Sequence, residues 1–137
     1  MSKVLGLDPG TKRIGVAISD EEERYAFPRD TISVATTGQV LAAIDAVCRD
    51  EAVGIIVIGL PLDQHGRMGQ AAKQVKSFGR LVEKQLNIPV AYQDERFTSR
   101  ESDTLLSQNT SRHMDKSLRD RSAARLILQT YLDSHHG

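Results

Sequence analysis

The chain has 137 residues, 39% hydrophobic and 26% charged, with a formal net charge of zero, which fits a single soluble domain over residues 1–137. Zero net charge argues against a polyanion binder driven by overall charge, and no apolar stretch approaches the roughly 20 residues needed to span a bilayer. One cysteine, Cys48, excludes an internal disulfide framework and a cysteine-based zinc site. A single Lys precedes the first strand pattern, so no signal or transit peptide is expected and a cytoplasmic location is the default.

The first hydrophobic run, residues 4–8, ends in a carboxylate. Pro9, Gly10, Thr11, Lys12 and Arg13 follow Asp8 at once, and a second run covers residues 14–19. The pattern predicts a strand, a tight turn with Gly10 at positive φ, and a second strand paired back on the first. Asp8 then sits at the mouth of a sheet, where protein groups alone hardly satisfy its charge. A cation, or a phosphate held through one, is expected there. Residues 20–24, with acids at every position from 20 to 23, predict the connection to a third strand over 25–34, in which Pro28 marks an edge.

Residues 38–50 place Val40, Leu41, Ile44, Val47 and Cys48 at helical spacing, with Cys48 read as a partly buried, inert thiol. The β-branched run at 54–59 predicts a strand buried on both faces. A loop rich in Pro and Gly over 60–69 leads to a helix over 70–86, with Ala72, Val75, Phe78, Leu81, Val82 and Leu86 on its apolar side. Another strand covers 88–92, closed by Gln93, Asp94, Glu95 and Arg96. Thr98 and Glu101 form a capping-box pattern for a short helix to about residue 106. Residues 107–117 are polar apart from Met114 and read as a mobile connector. A last helix over 119–132 turns Ala124, Ile127, Leu128 and Tyr131 inward, and a tail over 133–137 should fray.

The order β-β-β-α-β-α-β-α-α predicts an α/β fold. Its mixed five-stranded sheet has three antiparallel strands, then two parallel to the first, with helices on both faces. Sites in such sheets lie at the carboxyl ends of the parallel strands, where Asp8, Leu60 and Asp94-Glu95 emerge. If the first and last strands are neighbours, Asp8 and Glu95 face each other across a cleft. Asp120, four residues before Ala124 and seven before Ile127, shares the apolar face of the last helix and is the best candidate for a third acid. Three neighbouring carboxylates raise one another's pKa, and two divalent cations remove the repulsion. Oxygen ligands without His or Cys suit Mg²⁺ or Mn²⁺. Two such ions about 4 Å apart activate a water and stabilise a leaving oxygen. Each acid alone also has an ordinary reading: a turn residue for Asp8, a solvated charged turn for Asp94-Glu95-Arg96, and a helix cap for Asp120.

At this point the chain resembles a known family. The segment from Gly6 to Ala17, with Asp8-Pro9-Gly10-Thr11-Lys12-Arg13 at its centre, resembles the opening of the YqgF/RuvX family of pre-16S rRNA nucleases, relatives of Holliday junction resolvases. Ile58-Gly59-Leu60-Pro61-Leu62 followed by Gly66 is similar to the family's central loop, and Asp94-Glu95-Arg96-Phe97-Thr98 to its acidic motif. Asp120 with Ser122-Ala123-Ala124 and Ile127-Leu128-Gln129-Thr130-Tyr131-Leu132 is similar to its closing helix. The resemblance implies an RNase H-like fold in which Asp8, Glu95 and Asp120 are the catalytic, metal-binding acids. It also implies Mg²⁺- or Mn²⁺-dependent phosphodiester cleavage, mainly in 5′-end maturation of ribosomal RNA.

Thr11, Lys12, Arg13, Arg96 and Arg100 flank the expected cleft and suit phosphate contacts. Ordinary surface cations, and a turn role for Thr11, are the plainer readings. Arg112 and Lys116, with His113 between them, allow a basic segment that closes over a nucleic-acid backbone and assists proton transfer; a plain connector is the alternative. His65 on the central loop is equally open. Tyr92, Phe97 and Phe27 read as core residues, so base-specific recognition is not visible. Shape or junction recognition fits better, aided by a homodimer or by protein partners, with pre-ribosomal RNA and branched DNA both open as substrates. A nucleotide hydrolase of the actin/Hsp70 kind shares an Asp-x-Gly-Thr loop, but this chain lacks room for its second lobe. A non-catalytic, nucleic-acid-binding ribosome-assembly factor on the same fold is the other alternative.

Overall fold

The computed structural model describes residues 2–95 and 116–135, with side chains from residue 123 onward in the last helix. The short helix expected after Thr98, and the connector up to residue 115, lie outside the described residues. The elements are β1 (Lys3–Pro9), β2 (Arg13–Ser19), β3 (Ala26–Ser33), α1 (Thr37–Glu51), β4 (Val53–Leu60), α2 (Gln70–Leu86), β5 (Val90–Asp94) and α3 (Lys116–His135). They build one five-stranded sheet in the order β3-β2-β1-β4-β5. β1, β2 and β3 pair antiparallel, whereas β1–β4 and β4–β5 pair parallel, as the element order predicts.

Strand alternation sends neighbouring side chains to opposite faces. Leu5 and Leu7 of β1 join Ile14, Val16, Ile18, Ile56 and Ile58 in a core under α1 and α2, completed by Ile44 and Val82. Val4, Ala17 and Val57 join Ala124, Ile127, Leu128 and Leu132 of α3 on the other face. β4 is therefore buried on both sides. Full burial of an Ile or Leu side chain contributes about 1.5–3 kcal/mol. Gly6 lets α3 lie close against β1, because a Cβ there would lie 2.7 Å from Leu128 Cβ.

Local chemistry sets the element ends. Thr36 caps α1 through a capping box with Gln39. Ala52 closes α1 in the left-handed region at φ 53, its N–H donating to the Cys48 carbonyl. Ser19 is buried, yet its hydroxyl accepts from the Val4 N–H at 2.7 Å and donates to the Asp20 carbonyl at 2.9 Å. Cys48 is buried and its thiol is pushed up to about 11 by desolvation, which keeps it protonated and inert at neutral pH. Among the described residues no helix is long and apolar enough to cross a membrane.

Four expectations are corrected. β5 begins at Val90, not at residue 88, because Pro89 has no N–H for the ladder; its carbonyl still accepts from the Ile56 N–H at 2.9 Å. The tail does not fray at 133: α3 continues to His135, whose ring stacks on Tyr131 at 4.0 Å while Ser134 Oγ donates to the Thr130 carbonyl. Gly10 does not take positive φ. Its value is steric, since a Cβ there would lie 2.5 Å from the Arg13 carbonyl oxygen. Phe27 is not a core residue; it lies on the edge strand, where the helices of that face leave it uncovered.

Candidate active site

β1 and β5 are not neighbours, because β4 lies between them. This corrects the expectation that adjacency brings Asp8 and Glu95 together. The two side chains are nevertheless hydrogen-bonded. In register, Leu60 pairs with Asp94 and the Glu95 N–H donates to the Leu60 carbonyl at 3.2 Å, so Glu95 leaves the sheet at the end of β4. One step beyond the Leu7–Ile58 pair, Asp8 comes level with Gly59. A Cβ on Gly59 would lie 2.6 Å from Glu95 Oε2 and 2.6 Å from Ile127 Cδ1. The Glu95 carboxylate thus crosses β4 through the space Gly59 leaves. On its other flank Asp8 pairs with Gly15. Asp8 is thus flanked by a glycine on each neighbouring strand, and Glu95 and Ile127 occupy the space over Gly59.

Burial pushes the Glu95 carboxyl above the usual carboxylate range, and the negative charge of Asp94 adds to the rise. The hydrogen bond to Asp8 acts in the opposite sense. A hydrogen bond between two carboxyl groups requires one proton held between them. A divalent cation can take that proton's place, and carboxylate oxygens are the hard donors that Mg²⁺ and Mn²⁺ prefer. The pair therefore fits such an ion.

The α3 backbone passes Asp120 one turn before Ala124, which is fully buried against the sheet. The Asp120 and Lys116 side chains lie outside the described residues, as do Arg96, Arg100, Arg112 and His113. Among the described residues no group of three or more His, Cys, Asp or Glu assembles; Asp8 and Glu95 stand as a pair. Thr11 and Lys12 are exposed on the β1–β2 hairpin at the same end of the sheet. Arg13 begins β2 there, and its Nη1 is buried with no hydrogen-bond acceptor among the described residues. His65 is exposed on a loop tied by Asp63, whose carboxylate accepts from the His65 and Arg67 N–H groups, each at 2.8 Å. A mostly apolar cavity of about 210 Å³ behind Pro9 and Gly10 is lined by Ile14, Val40 and Phe78. It belongs to the α1–α2 side, away from the acids.

Sequence reading missed the part Gly59 plays. The residue stands in a motif quoted above, but only the sheet order reveals that Glu95 must cross it.

A mixed sheet in this strand order, with acids at the carboxyl ends of β1 and β5 converging on the α3 side, defines the RNase H-like, resolvase-type class. Two solved structures share the fold over nearly their whole length. RuvC of T. thermophilus, in complex with a Holliday junction substrate, is 13% identical with a TM-score of 0.62, covering 100% of this chain and 98% of that one. The Fowlpox virus resolvase, in complex with Holliday junction DNA, is 13% identical with a TM-score of 0.60, covering 98% and 99%. In sequence, the family model RuvX, described as Holliday junction resolvase, matches residues 2–134. A Synechocystis sp. protein named "Putative pre-16S rRNA nuclease" is 41% identical over 130 residues, 94% of this chain and 86% of that protein. The chain belongs to the RuvX family.

Proposed function

We propose that residues 1–137 of this RuvX-family nuclease work as one divalent-metal-dependent phosphodiester hydrolase domain, acting in the cytoplasm on the 5′ end of pre-16S ribosomal RNA, with single-stranded or branched DNA as further substrates. The observation that carries this reading is the Asp8–Glu95 hydrogen bond across Gly59 at the carboxyl end of the sheet. Asp8, Glu95 and Asp120 are the residues that would hold Mg²⁺ or Mn²⁺. When bound, two such ions supply Lewis-acid polarisation of the phosphodiester and lower the pKa of a nucleophilic water.

The chain's own groups bind and orient the substrate. Gly59 leaves room for the Glu95 carboxylate to reach Asp8, which places both acids on one side of the sheet for a sugar-phosphate backbone. Arg13 Nη1, buried without an acceptor among the described residues, is suited to a phosphate oxygen, because a buried N–H left without an acceptor is costly. Thr11 and Lys12 extend this anion-binding edge, and Arg96, Arg100, Arg112 and Lys116 are assigned further backbone contacts. A homodimer would present two such sites to a symmetric substrate.

The test is cleavage of end-labelled pre-16S RNA and of a four-way DNA junction in Mg²⁺, Mn²⁺ or EDTA. Cleavage with either ion, and none in EDTA, is expected. Full activity in EDTA contradicts the metal assignment, and RNA binding without any turnover favours the assembly-factor reading.

A further inference from the structure

The acidic run at the β2–β3 connection takes no part in the active site. Ser19 pairs with Ala26 there, whereas Arg13, at the active-site end of β2, pairs with Ser33. Two exposed aromatics follow the run: Tyr25 is 62% exposed and Phe27 47%. Phe27 pairs with Ile18, a member of the core on the α1–α2 side, so the strip faces that side. Asp8 adjoins Leu7 of the same core and therefore faces the opposite side. Both surfaces can be occupied at once.

Tyr25 is exposed yet firmly held. Asp20 Oδ1 accepts from the Arg24 N–H at 2.8 Å and the Tyr25 N–H at 3.1 Å. The Asp20 N–H donates to the Tyr25 carbonyl at 3.2 Å. Gln129 of α3 closes the clamp, donating to the Arg24 carbonyl at 2.8 Å and accepting from the Ala26 N–H at 2.9 Å. A surface aromatic on an ordered backbone loses little entropy when it binds.

Charge selects the partner. Between residues 20 and 30 stand Asp20, Glu21, Glu22, Glu23 and Asp30 against Arg24 and Arg29. Arg24 lies 3.6 Å from Glu22 and Arg29 lies 3.7 Å from Glu51, so both cations already face acids. The surplus of negative charge repels a nucleic-acid backbone and attracts ammonium and guanidinium groups, which aromatic faces also take. β3 is an outer strand, but Pro28 brings no N–H to its edge. This disfavours a second copy adding strand to strand.

We propose that Tyr25 and Phe27, with Glu21, Glu22 and Glu23 beside them, form a docking surface for a Lys/Arg-rich segment of a partner protein. The test titrates the full-length, ¹⁵N-labelled chain with a short peptide of alternating lysine and arginine. Amide shifts are expected to concentrate at residues 20–30. Tyr25→Ser/Phe27→Ser and Glu21→Lys/Glu22→Lys should each weaken the peptide's Kd about tenfold or more, with RNA cleavage unchanged. Shifts centred on the Asp8 side, or an unchanged Kd in the aromatic variant, overturn the proposal. So does weaker RNA binding in that variant, which assigns the strip to nucleic acid, or loss of a dimer, which assigns it to self-association.

Discussion

Glu95 is hydrogen-bonded to Asp8 across an intervening strand. The crossing is possible because the residue of β4 beneath the Glu95 carboxylate is Gly59. A methyl group at Gly59 would meet Glu95 Oε2 and Ile127 Cδ1 together, each at 2.6 Å. Sheet order, glycine placement and the acidic pair are thus one structural fact.

Gly59→Ala is expected to reduce cleavage about tenfold or more and to cost about 1–3 kcal/mol through overpacking. Adding Ile127→Val removes the Cδ1 clash and should restore much of the thermal stability. It should not restore the cleavage rate, which follows the position of Glu95. Recovery of rate in parallel with Tm contradicts this role for Gly59.

Asp8→Asn and Glu95→Gln should each keep the melting transition and lower the cleavage rate by about 10²-fold or more, the scale of removing one electrostatic stabiliser. The double variant should be little slower than the slower single one, because groups that act as a unit are not additive. Single-turnover cleavage with circular dichroism melts checks both points.

Ser19→Ala leaves the buried Val4 N–H without its 2.7 Å acceptor and is expected to cost about 1–3 kcal/mol in urea unfolding. Ala52→Gly should act oppositely. Ala52 holds φ 53 at the end of α1, and relief of a left-handed alanine is expected to raise stability by about 1 kcal/mol.

Lys3 Nζ donates to Glu51 Oε2 at 2.7 Å, and this bond is the chief cause holding the Glu51 carboxyl below its ordinary 4.5, with Arg29 adding to it. A carboxyl with a lowered folded pKa binds fewer protons folded than unfolded. Its stabilisation is therefore present above the unfolded value and is lost as pH falls through the folded one. Urea melts between about pH 3 and 7 should show an acid-side loss of stability that is smaller in Glu51→Gln.

Much of the fold and part of the site were legible in the sequence. The β-branched runs and helical stripes are local signals, so the strands, helices and antiparallel-then-parallel order could be read directly. Asp8 and Glu95 were visible as acids closing strands. The insertion of β4 between their strands was not, because sheet order depends on long-range packing. Phe27 misled because alternation gives a residue's face and not whether anything covers it. Pro89 shifted the start of β5 through a missing donor, a signal present in the sequence but outweighed by the apolar residues around it.

The central claim is that Asp8, Glu95 and Asp120 hold divalent ions together, and a crystal structure grown with Mn²⁺ tests it most directly. The expected result is anomalous density ligated by carboxylate oxygens of Asp8 and Glu95, with Asp120 in the same cluster, and its loss in Asp8→Asn. Mn²⁺ bound away from the Asp8–Glu95 pair, or an Asp120 carboxylate turned away from it, would contradict the claim.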